Sequence, residues 1–165
     1  MSEAAKIGTY VMYGKTGVCF VKEQTTMYGS TGLYYVLNPI SDSRSSVFVP
    51  CDNPTLVARM RPLLTREEID SLLSDADEVK MDWVDDRNER GLLCRTVLCG
   101  GDRKELVRLL CCLMRKKVER IEIGKRLSTM DENFLQECVR LVQEEFSMVL
   151  DIPQREVGTY IQERL

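Results

Sequence analysis

Trp83 and the cations that follow it are the side chains best placed to do chemistry in this chain of 165 residues. The stretch Lys80-Met81-Asp82-Trp83-Val84-Asp85-Asp86-Arg87-Asn88-Glu89-Arg90-Gly91 holds the only tryptophan. A core tryptophan normally sits inside an apolar, periodic run. This one stands among charges, where an acidic segment gives way to a basic one. Residues 65–86 carry a net charge of −7 and residues 87–126 a net charge of +7, although the whole chain is only −3. A basic block of this density suits contact with nucleic-acid phosphates, with Arg87, Arg90, Arg115, Lys116, Lys117 and Lys125 as candidates beside the tryptophan. Nothing in that set promises base-specific readout, so backbone and shape contacts are expected. A tryptophan packed between helices, with the cations on an ordinary solvated face, is the competing reading of the same residues.

Bond-making chemistry is poorly supplied. Histidine is absent, which removes the commonest general base and most Ser-His or Cys-His nucleophiles. Asp85-Asp86 and Glu144-Glu145 are adjacent pairs, so neither shares a helix face as an acid–base pair would. There is no phosphate-binding loop. Seven cysteines occur, an odd number with no Cys-x-x-Cys pair. Without histidine a zinc site is disfavoured, and the thiols read as small apolar core residues. The chain is therefore expected not to be an enzyme and to use no cofactor or metal.

Two regions of different period must carry these residues. Residues 7–50 read as short strands broken by turns. Thr9–Tyr13, Val18–Gln24, Leu33–Leu37 and Ser46–Pro50 are separated by Gly14-Lys15-Thr16-Gly17, Gly29-Ser30-Thr31-Gly32 and Asn38-Pro39. That spacing predicts a small barrel or sandwich, SH3-like or Tudor-like in size. Met27, Tyr28, Tyr35 and Phe48 are its candidate partner-binding residues, although alternation leaves open which face is inside. An exposed sheet edge is a second way to engage a partner. After Pro50 the period moves to about 3.6. Capping boxes at Thr65–Glu68 and Ser128–Asp131, and a capping Asp102, predict helix starts. A helix is expected from near Trp83–Asp86 to Cys99 with Leu92, Leu93, Thr96 and Val97 in its spacing, and a last one opens at Pro153. The fold class is α+β in two domains: a small β barrel over residues 1–64 and an all-helical domain over 65–165. No apolar run of about 18 residues is present to span a membrane. The N-terminus lacks the apolar core of a signal peptide, which points to the cytoplasm.

The run Gly8-Thr9-Tyr10-Val11-Met12-Tyr13-Gly14-Lys15-Thr16-Gly17-Val18 resembles the opening strands of the CarD/CdnL family of bacterial transcription regulators. Tyr34-Tyr35-Val36-Leu37, Val47-Phe48-Val49-Pro50 and Met60-Arg61-Pro62-Leu63-Leu64 continue in that family's order. In the helical half, Trp83 followed by Arg87 and Arg90 is similar to the family's tryptophan segment. Gly101-Asp102 resembles a family break between helices, and Gly124–Glu132 resembles the junction before the long helix. The resemblance implies an N-terminal Tudor-like domain that binds the β subunit of RNA polymerase and is shared with transcription-repair coupling factors. It implies a helical domain lying on promoter DNA, in the minor groove at the upstream edge of the melted bubble. There Trp83 would wedge at the fork and alter the stability of the open complex. Two departures stand out. Asp85 and Asp86 follow the tryptophan where some members are basic. Met27 and Phe48 stand where some members place arginines on the polymerase-facing strands, which implies a more apolar contact. The rival class is a Tudor/SH3-like interaction adaptor with no DNA role.

Overall fold

The protein, seen here as a computed structural model, is described over residues 6–29 and 31–165. It divides into two compact units between Leu63 and Leu64.

The first unit is an antiparallel sheet of β1 (Tyr10–Tyr13), β2 (Gly17–Thr26), β3 (Leu33–Pro39), β4 (Val47–Pro50) and β5 (Met60–Pro62), in the order β4-β3-β2-β1-β5. A 3-10 turn over Gly14–Thr16 joins β1 to β2, and it opens and closes on glycines with φ of 47° and 95°. Those left-handed values strain any side-chain-bearing residue, so glycine chemistry makes this corner. Val11, Cys19, Val21, Tyr35, Leu37, Val49 and Met60 form one buried cluster. They come from all five strands, including β4 and β5 at opposite ends of the ladder. A flat sheet cannot bring its two edges to one cluster, so the sheet curls over its own inner face, as expected of a small barrel. Helix α1 (Pro54–Val57), with Asn53 accepting from the Leu56 N–H, packs Leu56 and Val57 against the cluster. The strand pattern of the sequence stops at Pro50, and residues 51–64 show none. They instead supply α1 and the edge strand β5, which is too short to show alternation.

The second unit contains α2 (Arg66–Glu78), α3 (Arg87–Gly100), α4 (Arg103–Glu122), α5 (Thr129–Leu150) and α6 (Gln154–Gln162). The expected caps are in place. Thr65 accepts from the Glu68 N–H, Asp102 from those of Lys104 and Glu105, and Ser128 from that of Asp131. Periodic apolar residues meet in a core that includes Ile69, Leu73, Val107, Leu113, Leu141 and Phe146. One expectation fails. α3 begins at Arg87 with Asp86 as its cap, at the end of the expected range, but Leu92 of the predicted stripe is 64% exposed. Its inward face is Arg90, Cys94, Val97 and Leu98, so of the predicted stripe Val97 alone is buried.

No cysteine is disulfide-bonded. Burial pushes the thiols of Cys94 and Cys138 up to about 11 and about 12. They are packing residues, not nucleophiles. No helix among the described residues is long and apolar enough to cross a membrane.

Candidate nucleic-acid interface

Trp83 lies in the non-helical segment between α2 and α3 and is half-buried. Two arginines hold that segment. From α3, Arg90 forms a two-pronged ion pair with Asp131 of α5, Nε to Oδ1 at 2.7 Å and Nη2 to Oδ2 at 3.0 Å. Its remaining Nη1 donates to the carbonyls of Val84 and Asp85 at 3.0 and 3.1 Å. Its guanidinium carbon lies 4.4 Å from the Trp83 ring centroid. From α4, Arg115 Nη2 donates to the Met81 carbonyl at 2.9 Å. Lys116 places Nζ 5.2 Å from the centroid of the same ring. Cations over an indole face are attracted by its quadrupole, so the ring is oriented as well as packed.

Asp131 anchors this arrangement. It is 2% exposed and also accepts from Ser128 Oγ at 2.7 Å. Burial alone would raise its carboxyl, but the hydrogen bonds from Arg90 and Ser128 and the Arg90 charge hold it below the usual value. Its bond in turn raises Arg90 further, against the opposing effect of burial. Both groups are charged, and the pair is permanent at neutral pH.

The expected DNA cations therefore separate into two groups. Arg90 is only 9% exposed, and four of its five N–H donors go to Asp131, Val84 and Asp85. It lies against Trp83 as a buried ion-pair partner rather than as the open, phosphate-facing cation expected from the sequence. Arg115 is exposed but tied to Met81, Lys116 sits between Trp83 and Glu119, and Lys117 pairs with Glu132 at 2.9 Å. Arg87 and Lys125 are exposed, and neither has a side-chain ion pair among the described residues; Arg126 is like them. One of the two carboxylates after the tryptophan has a structural use. Asp86 caps α3, its Oδ1 accepting from the Glu89 N–H at 2.8 Å. Sequence gave no warning of the central partner: Asp131 lies 41 residues beyond Arg90, and its visible signal was only that of a helix cap.

On the sheet unit, Met27 is 39%, Tyr28 109% and Phe48 43% exposed. Tyr35 is not a surface residue. It is 5% exposed and belongs to the inner cluster. The register explains the difference: Tyr35 pairs with Val49, while Phe48 pairs with Val36 on the opposite face. The outward face also carries Tyr10, 43% exposed, with its ring 5.2 Å from that of Phe20.

Residues 6–64 match the family model described as CarD-like/TRCF RID domain. No curated protein matches the chain.

Proposed function

We propose, from the match of residues 6–64 to the CarD-like/TRCF RID domain family, which mediates RNA polymerase interaction, that the protein is a non-enzymatic transcription regulator. The sheet unit binds RNA polymerase at its β subunit through an outward surface that includes Met27, Tyr28 and Phe48. The helical unit meets promoter DNA at the upstream edge of the bubble through Trp83, with Arg87 and Lys125 near phosphates. Together they change the lifetime of the open complex. The observation that supports the DNA half is Trp83 itself: still partly exposed, outside any helix, and with two cations, Arg90 and Lys116, over its ring.

The energetics favour a wedge at an opened fork. A tryptophan has about 150–250 Å² in all, but Trp83 is already largely buried, so the part left to cover is worth about 2 kcal/mol at about 25 cal/mol/Å². Unstacking a base step costs a few kcal/mol. On intact duplex that cost outweighs the gain. At a fork already melted by polymerase the second cost is met, so the ring favours the open state, the differential affinity a shift in equilibrium needs. Free DNA binding is weak, because acidic segments flank the basic block. With a dissociation constant of about 0.1 mM and an effective concentration of about 1 mM from tethering, the DNA site is about 90% occupied on polymerase.

The test is open-complex lifetime with the cognate polymerase, comparing no protein, wild type and Trp83→Ala. The expected result is a changed lifetime with wild type and loss of the effect in Trp83→Ala, which still binds polymerase. A lifetime unchanged by wild type that binds polymerase would leave an adaptor without a DNA role.

A further inference from the structure

α4 is buried along one side and bare along another. Met114, Val118 and Ile121 are 41%, 52% and 60% exposed. Their spacing of four and then three residues sets them in one stripe along two turns. At its Met114 end the stripe borders two cavities. One, of about 210 Å³, has apolar walls from Leu110, Val142, Val157 and Ile161 of α4, α5 and α6. The other, of about 320 Å³, lies between α4 and α5. Met114 lines both. A ridge of exposed side chains beside apolar hollows is the relief that two copies of one surface need to interlock about a two-fold axis.

The charges beside the stripe select that occupant. Arg115 and Glu122 are two turns apart and so lie on the same flank, and both are exposed. Glu122 has no side-chain partner among the described residues, and Arg115 commits only Nη2, to Met81. Two α4 helices running antiparallel, centred between Val118 and Glu119, set Arg115 of each copy opposite Glu122 of the other. The pair occurs twice by symmetry. The same register carries Ile121 of each copy to the Met114 hollow of the other. A foreign helix would need the same order of base and acid, whereas a second copy has it by construction.

We propose that α4 pairs antiparallel with α4 of a second copy through Met114, Val118 and Ile121, with Arg115 and Glu122 fixing the register. The stripe is short against the roughly 800 Å² per partner of a standard interface, so the dimer is weak and concentration-dependent. Lys116, which lies over Trp83, projects from the far side of α4, and pairing leaves the ring uncovered.

Sedimentation of the full chain across a concentration series, under reducing conditions, tests this. Wild type should pass from monomer to dimer. Val118→Asp, at an exposed position that spares the fold, should remain a monomer. Glu122→Arg should weaken the dimer about tenfold through its two symmetric pairs, and Arg115→Glu with Glu122→Arg should restore it. A wild type that stays monomeric at the highest concentration overturns the proposal. So does a dimer indifferent to Val118→Asp. Failure of the double reversal to restore pairing, with circular dichroism unchanged, overturns the register.

Discussion

The two units bury different kinds of group. The interior cluster of the sheet unit is apolar throughout, from Val11 to Met60. The helical unit buries Arg90, Asp131, Glu144 and Glu145 along with its leucines. Glu145, 1% exposed, receives Arg103 through two bonds and the Leu64 N–H at 3.0 Å. Buried ion pairs contribute little net stability over apolar packing, because desolvation offsets their attraction, but removing one partner is severe. The difference teaches that the sheet unit is built for packing alone, whereas the helical unit uses buried charge to fix where a loop and a ring are held.

Trp83, as the only tryptophan, reports on the helical unit, which makes the contrast measurable. The largest effect is expected for Arg90→Ala. It leaves Asp131 buried and unpaired, which costs about 3–5 kcal/mol, and it frees the Val84 and Asp85 carbonyls. Urea unfolding followed by Trp83 fluorescence should show the loss; an unchanged midpoint would break the comparison. Leu37→Ala, at a fully buried position of the sheet cluster, should cost about 2–4 kcal/mol by opening a cavity. Its unfolding should appear in far-ultraviolet circular dichroism, with the Trp83 transition retained. Acid sharpens the contrast further. The Asp131 carboxyl is lowered from 3.8 in the fold, so its stabilisation is complete above that pH and is lost as pH falls below it through the folded value. Trp83 fluorescence should record this transition, and Asp131→Asn should abolish it while lowering stability at neutral pH. The smallest effect belongs to Asp86→Ala, a lost helix cap costing about 1 kcal/mol, visible as a modest drop in the same urea midpoint.

What was legible in the sequence was local. Thr65, Asp102 and Ser128 are caps whose partners lie two or three residues away, and each is where its spacing predicts. β5 was not legible, since Met60–Pro62 becomes a strand only by pairing with Tyr13 to Val11. Tyr35 and Phe48 could not be sorted before the register was known, because a one-residue slip exchanges the two faces. The bulge after Val21, where the pairing steps from Leu37 to Val36 at Glu23, hides the alternation further. Arg90 was misread for the same reason on a longer scale. A cation beside a tryptophan looks free until a carboxylate from another helix is folded against it.

The Trp83 segment has one more consequence. A stretch with no backbone ladder of its own would ordinarily sample many conformers, and a partner would have to freeze them at about 1–2 kcal/mol per residue. Here Arg115 holds Met81, and Arg90 holds Val84 and Asp85. Their entropy is lost when the helices assemble, not when a partner arrives. A partner that used the ring would meet it already aimed, and contact area at Trp83 would translate into residence time without a deduction for ordering the loop.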